Sequence, residues 1–372
     1  MSRRTACTIA CTIARSTVRT TALVPLLALA LGACQDRRAA EDAALGGVAG
    51  SPAQSPVGAA GDSTPAVAVR TASSPTDAAR TPNELGRIPV IEYHLLGEPG
   101  SHWKVERRRF RENLDLLYAR GYRPVNMTDV LDRKLDLPAG LSPVVFVFDD
   151  ASPSQFSYIE KNGQLEVDPN SAVGMLLDMN RRHPDWERKA VFCMLPAAQQ
   201  GHAFFGEKGI AGQKSEWRLK KVRFLHEQGF ELCNHTLYHA NLGKQTDARA
   251  QEFIARGDMA IDSAVPGYRV RTFALPLGVW PKHRPTAWAG SWHDPKSKRT
   301  VTYKYDAVLE VAGGPARSPH DPQFNPRSIP RVEVFATELE KTLDRLDRAG
   351  TRYVSDGNPK TVARPTQTVA AR

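Results

Sequence analysis

Val144-Val145-Phe146-Val147-Phe148 is apolar without a break and stops at two aspartates, Asp149 and Asp150. Side chains alternate between the two faces of a strand, so a continuous apolar run requires cover on both faces. Parallel strands joined by crossover helices meet that requirement, and the surrounding sequence alternates accordingly. Ile88–Tyr93 reads as a first strand. Phe110, Leu114 and Leu117 share one face of a helix from about Glu106 to Arg120, closed by Gly121. Val173, Leu176, Leu177 and Met179 mark a second helix, and Leu219, Val222 and Leu225 a third that ends at Gly229. Strands are expected at Ala190–Met194, Phe230–Cys233, Thr272–Leu275, Ala307–Val311 and Val332–Phe335, with a closing helix near Thr337–Arg348. The class is α/β. About seven β/α units predict a closed or nearly closed barrel, with an open doubly wound sheet as the alternative.

In such barrels the working groups sit where strands end, because the loops there are free to vary. The polar residues cluster at those points: His94 after the first strand, Asp149-Asp150, His235, and Pro276-Leu277-Gly278. His235 and His239 are four residues apart, and a helical turn beginning after His235 brings both rings to one point. Two imidazoles and one carboxylate leave coordination positions open, as a catalytic metal requires. Taken alone, the His pair is incidental about as often as not, and the aspartates have an ordinary alternative as a solvated loop capping the next helix. If both aspartates face a metal, one binds it and the other, kept ionised by the cation, is placed to accept a proton from water.

Val145-Phe146-Val147-Phe148-Asp149-Asp150 resembles the Thr-Phe-Asp-Asp motif of the polysaccharide deacetylases, carbohydrate esterase family 4. Asn234-His235-Thr236-Leu237-Tyr238-His239 resembles their His-Ser/Thr-x-x-His metal motif. The resemblance covers roughly residues 87–335 and implies a distorted (β/α) barrel, a zinc-like divalent metal, and removal of acetyl groups from an acetylated polysaccharide. It makes Asp149 the base and Asp150, His235 and His239 the ligands. Phe273-Ala274-Leu275-Pro276-Leu277-Gly278 stands where many members have Phe-Arg-Pro-Pro-Tyr-Gly. Leu277 replaces the tyrosine, whose position supplies a backbone N–H to the oxyanion. Ala274 replaces the arginine that orients the base, and Arg331 is the candidate for the missing guanidinium. No Leu-x-His follows; the late His320 lies in a Pro-rich loop. Tyr93-His94 instead resembles the Tyr-His of circularly permuted members such as periplasmic poly-N-acetylglucosamine deacetylases, which makes His94 the candidate acid. A hydrogen-bonded structural histidine is the plainer reading of His94.

The remaining sequence frames this domain. Residues 1–33 carry Arg3, Arg4, Arg15 and Arg19 ahead of an apolar run from Ala22 to Ala30, the layout of an export signal. Leu31-Gly32-Ala33-Cys34 resembles a lipobox, which implies lipidation at Cys34 and a membrane tether. Gln35, where an aspartate would favour inner-membrane retention, points to the outer membrane facing the periplasm. Residues 34–86 are rich in small and polar residues and read as a flexible linker, 87–356 as the barrel, and 357–372 as a disordered tail. Loss of the four arginines of residues 1–33, which contain no acids, lowers the formal charge from +10 to +6. No basic stripe interleaved with aromatics exists, so nucleic acid is not an expected partner; no protein partner is indicated. Cys193 and Cys233 read as small buried side chains, although export would permit their oxidation. Trp280 and Trp288 are the preferred tryptophans for stacking on sugar rings. The expectation is a lipid-anchored metal-dependent deacetylase. Its alternatives are a non-catalytic carbohydrate-binding or scaffold protein on a degenerate barrel, or hydrolysis of a non-sugar amide.

Overall fold

Seven parallel strands form a ring in chain order in the computed structural model, which describes residues 80–197 and 203–364. They are β1 (Val90–Tyr93), β2 (Ser142–Phe148), β3 (Val191–Met194), β4 (Glu231–Asn234), β5 (Thr272–Ala274), β6 (Ala307–Gly313) and β7 (Ile329–Glu333). Each pairs with the next, and β7 pairs with β1 through Val332 and Ile91, which closes the barrel and excludes the open sheet. The short strand Tyr122–Pro124 adds to the first half of β2 before β3 takes over that edge.

Strand parity divides the apolar residues into two layers. Val90, Val145, Val147, Val191, Cys193, Cys233, Ala274, Ala307, Leu309 and Ile329 share one cluster, the barrel interior. Ile91, Tyr93, Phe146, Phe148, Phe192, Leu232 and Phe273 belong to a second cluster with residues of the surrounding helices. Small and β-branched side chains fill the ring, and large aromatics lie between ring and helices. The five residues of the Val144–Phe148 run are fully buried, as cover on both faces requires.

Helices α1 (Arg107–Ala119), α2 (Ala172–Arg182), α3 (Arg218–Glu227) and α4 (Asp247–Ala264) lie in the first four crossovers, and α5 (Glu338–Arg348) follows β7. Between β5 and β6 the chain makes a hairpin, Ala289–His293 with Thr300–Lys304, in place of an α-helix. Between β6 and β7 it makes no α-helix. The barrel is distorted in this sense. A further hairpin, Tyr158–Lys161 with Gln164–Val167, precedes α2.

Three expectations are corrected. The register of β3 and β4 places Cys193 opposite Cys233, both facing the interior with Cα atoms 4.1 Å apart, and they form a disulfide. The last strand ends at Glu333 and begins at Ile329, so Arg331 sits mid-strand. The fold also extends beyond 87–356. Asn83 pairs with Val354, and buried Glu84 exchanges backbone and side-chain hydrogen bonds with Ala363. Cys34, the export signal at 1–33, most of the 34–86 linker and the end of the tail lie outside the described residues. Among the described residues, no helix is long and apolar enough to cross a membrane.

Candidate active site

Interior parity runs past the apolar residues into charge at the C-terminal end of the ring. Val90 is followed on its face by Glu92 and His94, Val147 by Asp149, Cys233 by His235, and Ile329 by Arg331. Backbone pairing holds these strand ends in place. Asp149 N donates to Tyr93 O at 3.0 Å, His235 N to Met194 O at 3.0 Å, and Leu275 N to Leu309 O at 3.1 Å.

Asp150 turns out of the strand with φ 77°, and Ala151 follows at 48°. That left-handed turn carries the Asp150 carboxylate toward the two histidines. After His235 the chain makes a turn rather than the expected helical one, with Thr236 at φ 65° and His239 at 55°. Asn234 secures this turn. Its Oδ1 accepts from Thr236 N at 2.7 Å, while its Nδ2 donates to Ile254 O and to Asp258 Oδ1 on α4. Gly257 makes the approach possible, since a Cβ there would lie 2.2 Å from Asn234 Oδ1. Non-glycine residues at positive φ are costly, and they gather here because the loops hold functional side chains in fixed positions.

One ligand atom from each of Asp150, His235 and His239 lies within 4.8 Å of the others. His235 Nδ1 lies 2.9 Å from Ala274 O, which only accepts, so Nδ1 carries a proton and the neutral ring presents its lone pair at Nε2; against burial, the carboxylates of Asp149 and Asp150 raise the ring's proton affinity. Nε2 makes no hydrogen bond and lies 3.4 Å from Asp150 Oδ1, which is 3.5 Å from His239 Nε2. Two imidazole nitrogens and a carboxylate oxygen, converging with the His235 tautomer already set, are a donor set that fits a divalent metal of zinc type. Burial opposes ionisation of Asp150, but the neighbouring imidazoles of His235, His94 and His239 outweigh it and hold its carboxyl well below the usual range. Burial, reinforced by His235, pushes His239 down to about 4, so at neutral pH its ring is uncharged and able to ligate.

Beside this triad, buried Arg331 places Nη2 2.9 Å from Asp149 Oδ2 and 3.0 Å from Glu92 Oε1, and its Nε donates to Glu310 O. Against the cost of burial, Arg331 keeps the Asp149 carboxyl below the ordinary range. Asp149 Oδ1 is buried without a hydrogen-bond partner. Glu92 is pushed up by burial, which outweighs the attraction of Arg331. His94 Nε2 lies 3.3 Å from Glu92 Oε1, and burial lowers the ring's proton affinity against the pull of Asp149 and Asp150. Gln155 donates to the carbonyls of both His94 and Asp149, tying the two strand ends together.

A cavity of about 460 Å³ opens over these groups, walled by His94, Trp103, Leu275, Leu277 and Val311 together with the triad and Asp149. Leu277 lies at φ 59° with its side chain exposed. The structure thus brings Asp149, Asp150, His235, His239, His94, Leu277 and Arg331 to one place. Trp280 and Trp288 are not on the cavity wall; they pack under the guanidinium groups of Arg284 and Arg327, and Trp103 takes the place at the rim. His320 lies by Glu84 and Tyr353 at a different cavity. Sequence reasoning missed Glu92, whose signal was a lone acid on the inward parity of an apolar strand. It also missed Gln155 and Asn234, which act through backbone atoms and leave no pattern.

The chain is similar in fold to several solved structures. It aligns with the Streptococcus pyogenes deacetylase PplD in complex with acetate at 17% identity and TM-score 0.49, over 69% of this chain and 97% of that one. IcaB from Ammonifex degensii aligns at 17% identity and TM-score 0.46, over 71% and 98%. A de-N-acetylase from Aggregatibacter actinomycetemcomitans aligns at 14% and 0.43, over 69% and 99%. No curated protein matches the chain. Residues 187–288, which hold both histidines and the Leu277 turn but neither aspartate, match the family model described as polysaccharide deacetylase.

Proposed function

We propose that this protein is a metal-dependent deacetylase that removes acetyl groups, N-acetyl in the first instance, from an envelope or extracellular polysaccharide. The observation that carries the reading is the division of labour at Asp149 and Asp150. Asp149 has one carboxylate oxygen on Arg331 and the other buried without a partner, immediately beside three converging metal-ligating atoms. The family match covers His235, His239 and Leu277, and supports a deacetylase-type site at that part of the barrel.

In this reading Asp150, His235 and His239 hold a zinc-like divalent cation, which supplies Lewis-acid polarisation of the acyl oxygen and acidifies water. Asp149, kept ionised by Arg331, accepts through Oδ1 the proton of the water that attacks the acetyl carbonyl. The C–O bond of acetate forms and the C–N bond to the sugar breaks. With Nε2 of His94 facing Glu92, its Nδ1 delivers the proton to the departing nitrogen. The backbone N–H of Leu277 serves the oxyanion. Upstream, lipid on Cys34 and the linker that follows hold the enzyme at the outer membrane, facing the periplasm.

The test is acetate release from acetylated glucosamine oligomers by zinc-loaded protein, with loss on chelation and recovery on adding zinc. Metal bound at one equivalent with no acetate from any acetylated sugar would sink the enzymatic reading in favour of a carbohydrate-binding role.

A further inference from the structure

Among the described residues, Asp258 and Tyr305 line no part of the cavity over the triad and hydrogen-bond to none of its three residues. They reach the triad through Asn234. That residue closes β4 one position before His235, and strand parity turns its fully buried side chain away from the barrel interior and onto α4.

Three acceptors surround Asn234 Nδ2: Ile254 O at 2.8 Å, Asp258 Oδ1 at 2.7 Å and the Tyr305 hydroxyl oxygen at 2.7 Å. The amide has two hydrogens to share among them, so its nitrogen belongs on this side and its oxygen on the other. There Oδ1 accepts from Thr236 N at 2.7 Å. With the amide turned over, Nδ2 would meet the Thr236 N–H donor to donor, and Oδ1 would face three acceptors. Tyr305 gives its hydroxyl hydrogen to Asp258 Oδ1 at 2.8 Å, which leaves an oxygen lone pair for Asn234. Asp258 thus acts twice, once on the amide directly and once by setting the direction of the Tyr305 hydroxyl.

Both groups are themselves held in place. Tyr305 is fully buried, with Phe273 and Tyr303 stacked against its ring at 5.3 and 5.4 Å. Asp258 stands on α4 directly after Gly257, the residue whose missing Cβ admits Asn234. What the network secures is costly backbone. Thr236 is β-branched and lies at φ 65°, and His239 lies at 55°. Such conformations persist only where the surroundings over-determine them. The anchors of this turn on α4 are the Asn234 amide and Leu237 N, which donates to Phe253 O at 3.0 Å. A turn that relaxes changes the separation of the His235 and His239 rings.

We propose that Asp258 and Tyr305 are positioning residues for the metal centre: by holding the Asn234 amide in one orientation, they fix the turn that spaces His235 and His239 for a divalent cation. This rests on the reading of Asp150, His235 and His239 as ligands, and is independent of what the bound metal does.

The experiment measures zinc affinity of the full chain by competition with a chromophoric chelator, at a temperature where circular dichroism shows each variant folded without zinc. Tyr305→Phe removes one oxygen and should weaken zinc binding about threefold, the scale of one net hydrogen bond. Asp258→Leu should weaken it about tenfold, the lower end of the range for partners outside the ligands, because Ile254 O still holds the amide. Asp258→Asn keeps an acceptor oxygen and should bind zinc within about twofold of wild type. In an Asn234→Ala background, neither Asp258→Leu nor Tyr305→Phe should change zinc affinity further, since the path to the ligands is gone. A purely structural role would lower the Tm of the metal-free variants and leave these affinities unmoved. Wild-type affinity in both Tyr305→Phe and Asp258→Leu overturns the assignment, as does an effect of either that survives in Asn234→Ala. A loss in Asp258→Asn as large as in Asp258→Leu overturns the role of the acceptor oxygen. If Asp258→Leu does not fold, Tyr305→Phe with and without Asn234→Ala decides. Wild type that binds no zinc removes the metal reading itself, whereas zinc bound with these affinities but no acetate released keeps the positioning role and removes the deacetylase.

Discussion

Two groups of carboxylates and imidazoles lie side by side at the C-terminal end of the barrel, and only one is built around a guanidinium. Glu92, His94 and Asp149 have ligand atoms within 4.8 Å of one another, as do Asp150, His235 and His239. In the first group Arg331 lies between the two carboxylates, at 3.0 and 2.9 Å. The second offers an imidazole lone pair on His235, fixed by Ala274, beside a carboxylate oxygen. Burying carboxylates is costly unless a cation and hydrogen bonds compensate them. The first group carries its cation in the chain. The second presents a donor set that could take one from solution. In the proposed reading the same acidic chemistry divides into a group that tunes a base and a group that ligates.

The largest expected effect separates the groups directly. His235→Ala should lose bound zinc and activity together. Asp149→Asn should keep about one zinc per chain while acetate release falls by about 10²–10⁴, the range for losing a general base. Metal analysis beside acetate assay reads both at once. Zinc retained in His235→Ala, or lost in Asp149→Asn, would put the metal in the wrong group and break the comparison.

A smaller effect tests whether the cation in the first group is what distinguishes it. Arg331→Ala strands Glu92 and Asp149 without their partner and should destabilise the metal-free fold by about 3–5 kcal/mol. Excess zinc should then recover part of the loss and raise the bound metal from one equivalent to two, because Glu92, His94 and Asp149 now form a vacant ligand set. Glu92→Gln in the Arg331→Ala background removes one of the stranded charges, so it should recover stability without zinc and suppress the second equivalent. Thermal denaturation with and without zinc, and metal counting, read the outcome. A single zinc and an unrestored Tm in Arg331→Ala would show that something other than charge keeps the two groups distinct.

The ligating group was far more legible in the sequence than the tuning group. Asp150, His235 and His239 stand, with Asp149 of the other group, in two short motifs at the ends of recognisable strands, where the barrel reading brings strand ends together. Arg331 became the candidate guanidinium because Ala274 left a gap, yet its contact with Asp149 depends on the closure of β7 onto β1. That closure joins the two ends of the ring, and no local period reports it. Glu92 belongs to the same seam. The disulfide escaped for a related reason: Cys193 and Cys233 meet only because β3 and β4 take one register rather than its neighbour. Strand existence, helix faces and the alternation of layers came from periodicity, which is local. The β5–β6 hairpin and the turn after His235 depend on packing and on left-handed backbone at Thr236 and His239, which those residue types do not announce.

The least effect concerns a third buried cation, which has a backbone carbonyl, as Arg331 does, but no carboxylate in contact with it. Lys221, on α3, is fully buried, and its Nζ donates to Phe205 O at 2.6 Å. The nearby carboxylate, Glu207, is engaged by Arg218 at 3.0 Å and Lys208 at 3.4 Å. Burial therefore outweighs the pull of Glu207 and brings the Lys221 amine down to about 7, whereas the two carboxylates at Arg331 hold its guanidinium up despite equal burial. The unfolded chain returns Lys221 to the ordinary lysine value of about 10.4. Between those two values the unfolded state binds the proton and the native state does not, so this residue's contribution to stability is complete above the upper value and is lost as pH falls toward 7. Over that window the slope from one such proton is at most about 1.4 kcal/mol per pH unit. Lys221→Met removes the titration along with the hydrogen bond to Phe205. The stability of wild type minus that of Lys221→Met should therefore rise between pH 7 and pH 9, measured by denaturant unfolding at fixed ionic strength, which leaves the changes common to both proteins out of the difference. A flat difference would mean that Lys221 stays protonated in the fold. A single backbone carbonyl and an engaged glutamate would then suffice to hold a buried cation, and the two carboxylates around Arg331 would have to be explained by their work on Asp149 alone.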